Sequence, residues 1–204
     1  MVSEKIKEKL IEDLIKIEAL KFGRFKLTSG KESLYYIDLR VAPSYPEVFH
    51  RLINAYLTKI REIGLEKFDI IAGIPTSGLI YASTLAYNLR KPLIYVRKEE
   101  KGWGRKRKIE GILKRGDNVL LIDDLVTTGK SLIEAAKSIE DEGGKVSYAL
   151  VLIDREEGGL ENLKFKGIML CSFISVGEIF RVLVKKGRIS SEEYKKICGK
   201  LQVG

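Results

Sequence analysis

VLLIDDLVTTGKSL, residues 119–132, is the stretch that fixes how the rest of the chain is read. Four apolar residues of strand character run into two adjacent carboxylates, Asp123 and Asp124. A short Thr/Gly turn follows, and helical spacing begins near Lys130. Backbone N–H groups at a helix start, reached through such a turn, form a cradle for phosphate. Leu125, Val126, Thr127, Thr128, Gly129, Lys130 and Ser131 make up that turn, and Thr127, Thr128 and Ser131 add hydroxyl donors. Gly129-Lys130-Ser131 looks like the end of a P-loop, but that motif requires glycine where this chain has Asp124. Two carboxylates would also repel a triphosphate. They suit a ligand with a phosphate at one end and vicinal hydroxyls at the other, since carboxylates accept hydrogen bonds from sugar hydroxyls. A bare Asp-Asp pair usually does no more than end a strand. Here the strand before it, the turn and the helix after it all agree on a binding site.

Working outward, the same pattern repeats. FDIIAGI (68–74) is a short apolar strand followed by Pro75, Thr76, Ser77 and Gly78, then by a helix over 79–89. Strands are predicted at 92–98, 118–124 and 145–155, and a helix over 130–142 is closed by Gly143-Gly144. Continuous apolar strands separated by helices predict an α/β fold with a parallel sheet flanked by helices. Residues 167–175 add an edge strand, and helices near 176–186 and 190–199 follow. Toward the N-terminus, Ile6, Leu10, Leu14 and Ile17 mark one apolar helix face within 3–20. Residues 20–40 alternate around Thr28–Lys31 as a β-hairpin, and 46–63 returns to helical spacing. Such sheets bind ligands at the carboxyl ends of their strands. The loops at 74–78, 97–111 and 123–131 therefore stand out, together with the strand end Asp154-Arg155.

The 204 residues suit a single domain spanning 1–204. Its core is expected over about 65–155, with a small N-terminal hood subdomain from about 1–40 plus a C-terminal segment. Cys171 and Cys198 have neither metal-ligand spacing nor the numbers of a disulfide framework. The charged start MVSEKIKEKL is unlike a secretory signal, and no apolar run reaches the roughly 20 residues of a membrane span. A cytoplasmic protein with no membrane partner is expected. The net charge of +9 is concentrated: residues 97–108 hold seven basic and two acidic side chains. No separate nucleic-acid-binding domain or basic–aromatic platform accompanies that run, so no nucleic-acid partner is expected. The run sits after a predicted strand, where cations can stabilise charge that develops on a leaving group.

Residues 119–132 closely resemble the phosphoribosyl-pyrophosphate signature of type I phosphoribosyltransferases: an apolar strand, two acids, two variable residues, then Thr-x-Gly. LKFGRFKLTSGKESLYYIDLR (20–40) resembles the N-terminal signature of the orotate phosphoribosyltransferases, and YVRKEEKGWGRKRKIEG (95–111) resembles their mobile catalytic loop. The resemblance spans most of 20–155. It implies a type I phosphoribosyltransferase-like fold and transfer of ribose 5-phosphate to orotate, releasing pyrophosphate. Asp123 and Asp124 would bind the ribose hydroxyls, and 127–131 the 5-phosphate. Arg97, Lys98 and Lys101 would face the pyrophosphate, with Gly102, Gly104 and Gly111 letting their loop close over it. Lys101 would reach a neighbouring subunit's site, which implies a homodimer. Lys26, Tyr35 and Tyr36 match positions near orotate and pyrophosphate, though strand alternation lets just one of the tyrosines face the ligand. Arg155 matches the position that pairs with the orotate carboxylate. Thr76 and Ser77 belong to a loop that touches pyrophosphate. Mg²⁺ is the implied cofactor, held mainly by substrate oxygens because the chain has no ligand cluster.

Two positions depart from that family. Trp103 stands where the loop usually carries His, and it cannot transfer a proton. Thr76 and Ser77 stand where some members place Lys. Trp103 motivates a different acceptor base as an alternative, and a non-catalytic sensor of phosphoribosyl pyrophosphate that binds nucleic acid through 105–108 is a third reading. His50, the one histidine, lies outside every motif and reads as structural.

Overall fold

The computed structural model describes residues 4–26, 32–97 and 108–201, with side chains to 197. Helix α1 (Glu4–Lys16) leads into an antiparallel pair, β1 (Leu20–Lys26) and β2 (Glu32–Ile37), as the alternation predicts. A 3₁₀ turn (Leu39–Ser44), capped by the Asp38 side chain on the Arg40 N–H, precedes α2 (Pro46–Ile63). The main sheet follows: β3 (Ile70–Gly73), α3 (Ser77–Leu89), β4 (Leu93–Val96), β5 (Ile109–Glu110), β6 (Asn118–Val126), α4 (Lys130–Asp141) and β7 (Lys145–Asp154). Then come α5 (Gly159–Phe165), β8 (Met169–Ser175), α6 (Val176–Lys185) and α7 (Ser191–Leu201). The chain divides into two compact units, residues 1–54 with 174–204, and residues 55–173.

In the second unit the strand order is β5-β4-β3-β6-β7-β8. β4, β3, β6 and β7 run parallel, and β5 is antiparallel to β4. One face carries Ala72, Val96, Leu121 and Val151, packed with Leu132 and Ile139 of α4. Each valine, leucine or isoleucine among them contributes about 1.5–3 kcal/mol by leaving water. Strand side chains alternate between faces, and both kinds are buried here, which is why the sequence shows unbroken apolar runs. The sequence and the structure differ in several element bounds among the described residues, and three differences bear on the sheet. β6 continues two residues past its predicted end because the ladder to β7 goes on through Leu125↔Ile153 and Val126↔Asp154. β5 and α5 had no counterpart in the prediction. At two and seven residues they are too short for a periodic signal.

In the first unit, α6 is fixed by a capping box between Ser175 and Glu178. Phe180 of α6 meets the rings of Phe22 and Tyr35 edge-on, at 6.0 and 5.1 Å between centroids. Ion pairs lace α1 to α6 and the residue that follows it: Lys7–Glu178 at 2.6 Å, Lys185–Glu4 at 3.0 Å, and Lys186 to Glu8 and Glu12 at 3.1 and 2.6 Å. The exposed ones are worth little singly. Asp13 is buried, and Arg51 pairs with it at 2.6 Å. Among the described residues no helix is long and apolar enough to cross a membrane.

Candidate functional site

The strand order reverses between β3 and β6, so the crevice at their carboxyl ends is a topological switch point. β3 stops at Gly73, opposite Ile122, and the Ile74 N–H donates the last bond to the Ile122 carbonyl at 3.1 Å. Beyond that point β6 keeps β7 on one flank and has lost β3 on the other. Asp123 and Asp124 lie on this overhang, both half-buried.

Their positions are set by local bonds. The Asp124 N–H donates to Asp123 Oδ1 and the Leu125 N–H to Asp124 Oδ1, each at 2.9 Å. The Ser77 hydroxyl, at the buried start of α3, donates to Asp124 Oδ2 at 2.6 Å. A neutral donor holds that carboxylate in place without cancelling its charge. The chain reaches Ser77 through a cis Pro75–Thr76 peptide, an unusual backbone in the expected pyrophosphate loop. Gly78 then lets α3 approach β6 closely. A Cβ there would lie 2.6 Å from the Ile122 carbonyl oxygen and 2.7 Å from Asp123 Oδ1.

The Thr/Gly turn is braced from α5. Gly129 has φ +78° and begins α4. Asn162 Nδ2 donates to the Thr128 carbonyl at 3.0 Å. Gly159 sits so near the turn that a Cβ would meet the Thr127 oxygen at 2.6 Å. Val126 turns its side chain into the core, so it can offer a ligand backbone alone. Thr128, Lys130 and Ser131 are exposed. On the α4 side, Arg97, Lys108, Lys130, Ser131 and Lys137 line a cleft of about 760 Å³ floored by Ile74 and Val96. Arg97 donates to Glu110 at 2.9 Å across the β4–β5 pair.

At the end of β7, Arg155 is buried at 7% exposure and bonds Glu157 at 2.8 Å. It is therefore no surface residue. Burial raises the carboxyl of Asp154 above the usual range, and the neighbouring glutamates add to this. The hairpin tyrosines separate as alternation requires. Tyr35 faces the core, and half-buried Tyr36 packs on Phe25 at 5.6 Å and accepts from Arg40 Nη2 at 3.2 Å. Lys26 is exposed at the end of β1. Lys98, Lys101, Gly102, Trp103 and Gly104 lie outside the described residues.

The structure thus gathers Asp123, Asp124 and Ser77 in one cluster, and Arg97, Lys130 and Ser131 around one cleft. Sequence reasoning missed Tyr56, Gly159 and Asn162. Gly158-Gly159 was the one available signal of a close backbone approach. Among the described residues no cluster of three or more His, Cys, Asp or Glu could hold a metal ion.

The phosphoribosyl transferase domain family matches residues 46–179. A protein of Staphylothermus marinus named orotate phosphoribosyltransferase is 42% identical over 95% of this chain and 94% of its own length. The crystal structure of orotate phosphoribosyltransferase from Aeropyrum pernix superposes with TM-score 0.78 and 34% identity, covering 89% of this chain and 99% of that one. The structure of Leishmania donovani UMP synthase gives TM-score 0.84 and 33% identity over 97% of this chain, which spans 42% of that longer chain.

Proposed function

This chain belongs to the phosphoribosyltransferase family, among the orotate phosphoribosyltransferases, and from that premise we propose how its residues transfer ribose 5-phosphate to orotate. The reaction joins orotate N1 to ribose C1, releases pyrophosphate and yields orotidine 5′-monophosphate for pyrimidine synthesis. One observation carries the reading: paired acids where β6 outlasts β3, with Asp124 held by Ser77, followed by a Thr/Gly turn into a helix at a switch point.

In this reading Asp123 and Asp124 accept hydrogen bonds from the ribose hydroxyls. The backbone N–H groups of 127–131 and the hydroxyls of Thr127, Thr128 and Ser131 donate to the 5-phosphate. Arg97, Lys98 and Lys101 stabilise negative charge as pyrophosphate departs and C1 becomes oxocarbenium-like. Thr76 and Ser77 belong to the loop beside that leaving group. Arg155 offers a planar fork to the orotate carboxylate, its plane fixed by Glu157. Lys26 and one hairpin tyrosine complete the base and pyrophosphate contacts. Orotate N1 is readily anionic, so positioning and electrostatics supply most of the rate.

Mg²⁺ would be held mainly by pyrophosphate and ribose oxygens, since no ligand cluster lies among the described residues. Bound there, the ion would neutralise charge on the pyrophosphate. The protein acts as a cytoplasmic homodimer in which Lys101 serves the neighbouring site. Light scattering tests the dimer. The activity is tested by orotidine monophosphate formation from orotate and phosphoribosyl pyrophosphate, with and without Mg²⁺. Turnover with orotate that depends on Mg²⁺ is expected, and turnover with other bases alone overturns the assignment.

A further inference from the structure

Tyr56 lies far in sequence from the acids, on the part of α2 that counts with the second unit, and it is fully buried. Its ring stacks on Tyr81 at 5.4 Å between centroids. Its hydroxyl donates to the Asp123 carbonyl at 2.6 Å, so the phenol oxygen rests on β6 at the level of the acids. Burial, with Tyr81 and the two acids nearby, pushes this phenol well above its usual range, so it stays protonated and keeps donating.

The bond lands on a particular peptide. The carbonyl of Asp123 and the N–H of Asp124 belong to one peptide plane. Tyr56 holds its oxygen, and Asp123 Oδ1 holds its N–H at 2.9 Å. That plane sets where both Cα–Cβ bonds point, and so where both carboxylates reach.

We infer that Tyr56 is a positioning residue: its hydroxyl, bonded to the Asp123 carbonyl, fixes the Asp123–Asp124 peptide so that the paired carboxylates meet the sugar hydroxyls. The inference rests on the reading of that pair as the ribose grip. It makes a prediction that a merely structural tyrosine does not. The sugar end of the ligand should feel the loss of the hydroxyl, and the phosphate end should not, because the turn at 127–131 is braced separately from α5.

Calorimetric titration of the full chain with ribose 5-phosphate and with inorganic phosphate separates the cases. Tyr56→Phe keeps the ring and removes the hydroxyl. Ribose 5-phosphate affinity should fall about tenfold while inorganic phosphate affinity holds, the size expected when one buried carbonyl loses its donor. Ile60→Val, a buried change on the same helix, serves as the stability control and should alter neither affinity. Thermal melts of each variant set a temperature at which both are folded. Unchanged ribose 5-phosphate binding in Tyr56→Phe, or an equal loss for both ligands, overturns the inference. Asp124→Asn is titrated in parallel. If it too leaves ribose 5-phosphate binding intact, the ribose grip itself is wrong. If it weakens binding and Tyr56→Phe does not, the error lies with Tyr56 alone.

Discussion

Strands β6 and β7 lie side by side, paired from Asn118↔Lys145 to Val126↔Asp154, and each carries an apolar run into aspartate: VLLIDD and LVLIDR. Their ends fare differently. Asp123 and Asp124 are half-buried and rest on a hydroxyl and backbone N–H groups. Asp154 is buried at 8% exposure, accepts the Glu156 N–H at 2.8 Å, and is driven toward its protonated form by burial. The sheet explains the contrast. β7 is paired with β6 as far as Asp154, whereas β6 outlasts β3. A strand-end acid becomes a ligand group where a neighbouring strand stops short and neutral donors hold it, and otherwise serves as a local cap.

The comparison can be broken most directly at Asp124. Asp124→Asn keeps an acceptor for Ser77 and removes the charge proposed to grip the sugar. Steady-state kinetics should show kcat/KM down by about a hundredfold or more, with the melting temperature little changed. Gly78→Ala forces a methyl against the β6 backbone. Denaturant melts should show a loss of about 1–3 kcal/mol, along with a raised KM for phosphoribosyl pyrophosphate. Asn162→Ala unties the Thr128 carbonyl. That should raise the same KM about fivefold, in line with one lost hydrogen bond, and leave the KM for orotate alone.

The smallest effect belongs to Asp154→Asn, which sharpens the contrast. A carboxyl whose folded pKa is raised binds more protons in the folded state than in the unfolded one. Its contribution to stability is present below the ordinary carboxylate value and is lost as pH rises through the raised one. Asparagine still accepts from Glu156 and has no proton to lose. The variant should therefore match or slightly exceed the parent's melting temperature at neutral pH and retain activity. An activity loss on the scale of Asp124→Asn would erase the distinction between the two strand ends.

The strand–turn–helix run at 119–132 was legible because periodicity, turn chemistry and two charges all fall within fourteen residues. The parallel sheet was legible for the same reason, since its strands are apolar on both faces. Ser77 and Tyr56 were not legible as partners of the acids. They lie 47 and 67 residues away, and their roles depend on where β3 stops and how α2 packs, which no local pattern encodes. Tyr35 and Tyr36 could be told apart in principle by alternation, but which one faces inward is decided by Phe180, far along the chain. The burial of Arg155 was not legible, because it comes from tertiary neighbours.

The unit built from residues 1–54 and 174–204 is assembled from two stretches separated by the whole of the other unit. A ribosome delivers the chain from its N-terminus, and domains tend to fold as they emerge. Residues 55–173 can close their sheet while the opening helix and hairpin still wait for α6. Phe180, Glu178 and Lys186 arrive last, and with them the ring contacts and ion pairs that hold the first stretch. The first stretch of that unit therefore meets its own partners only after residues 55–173 have been made.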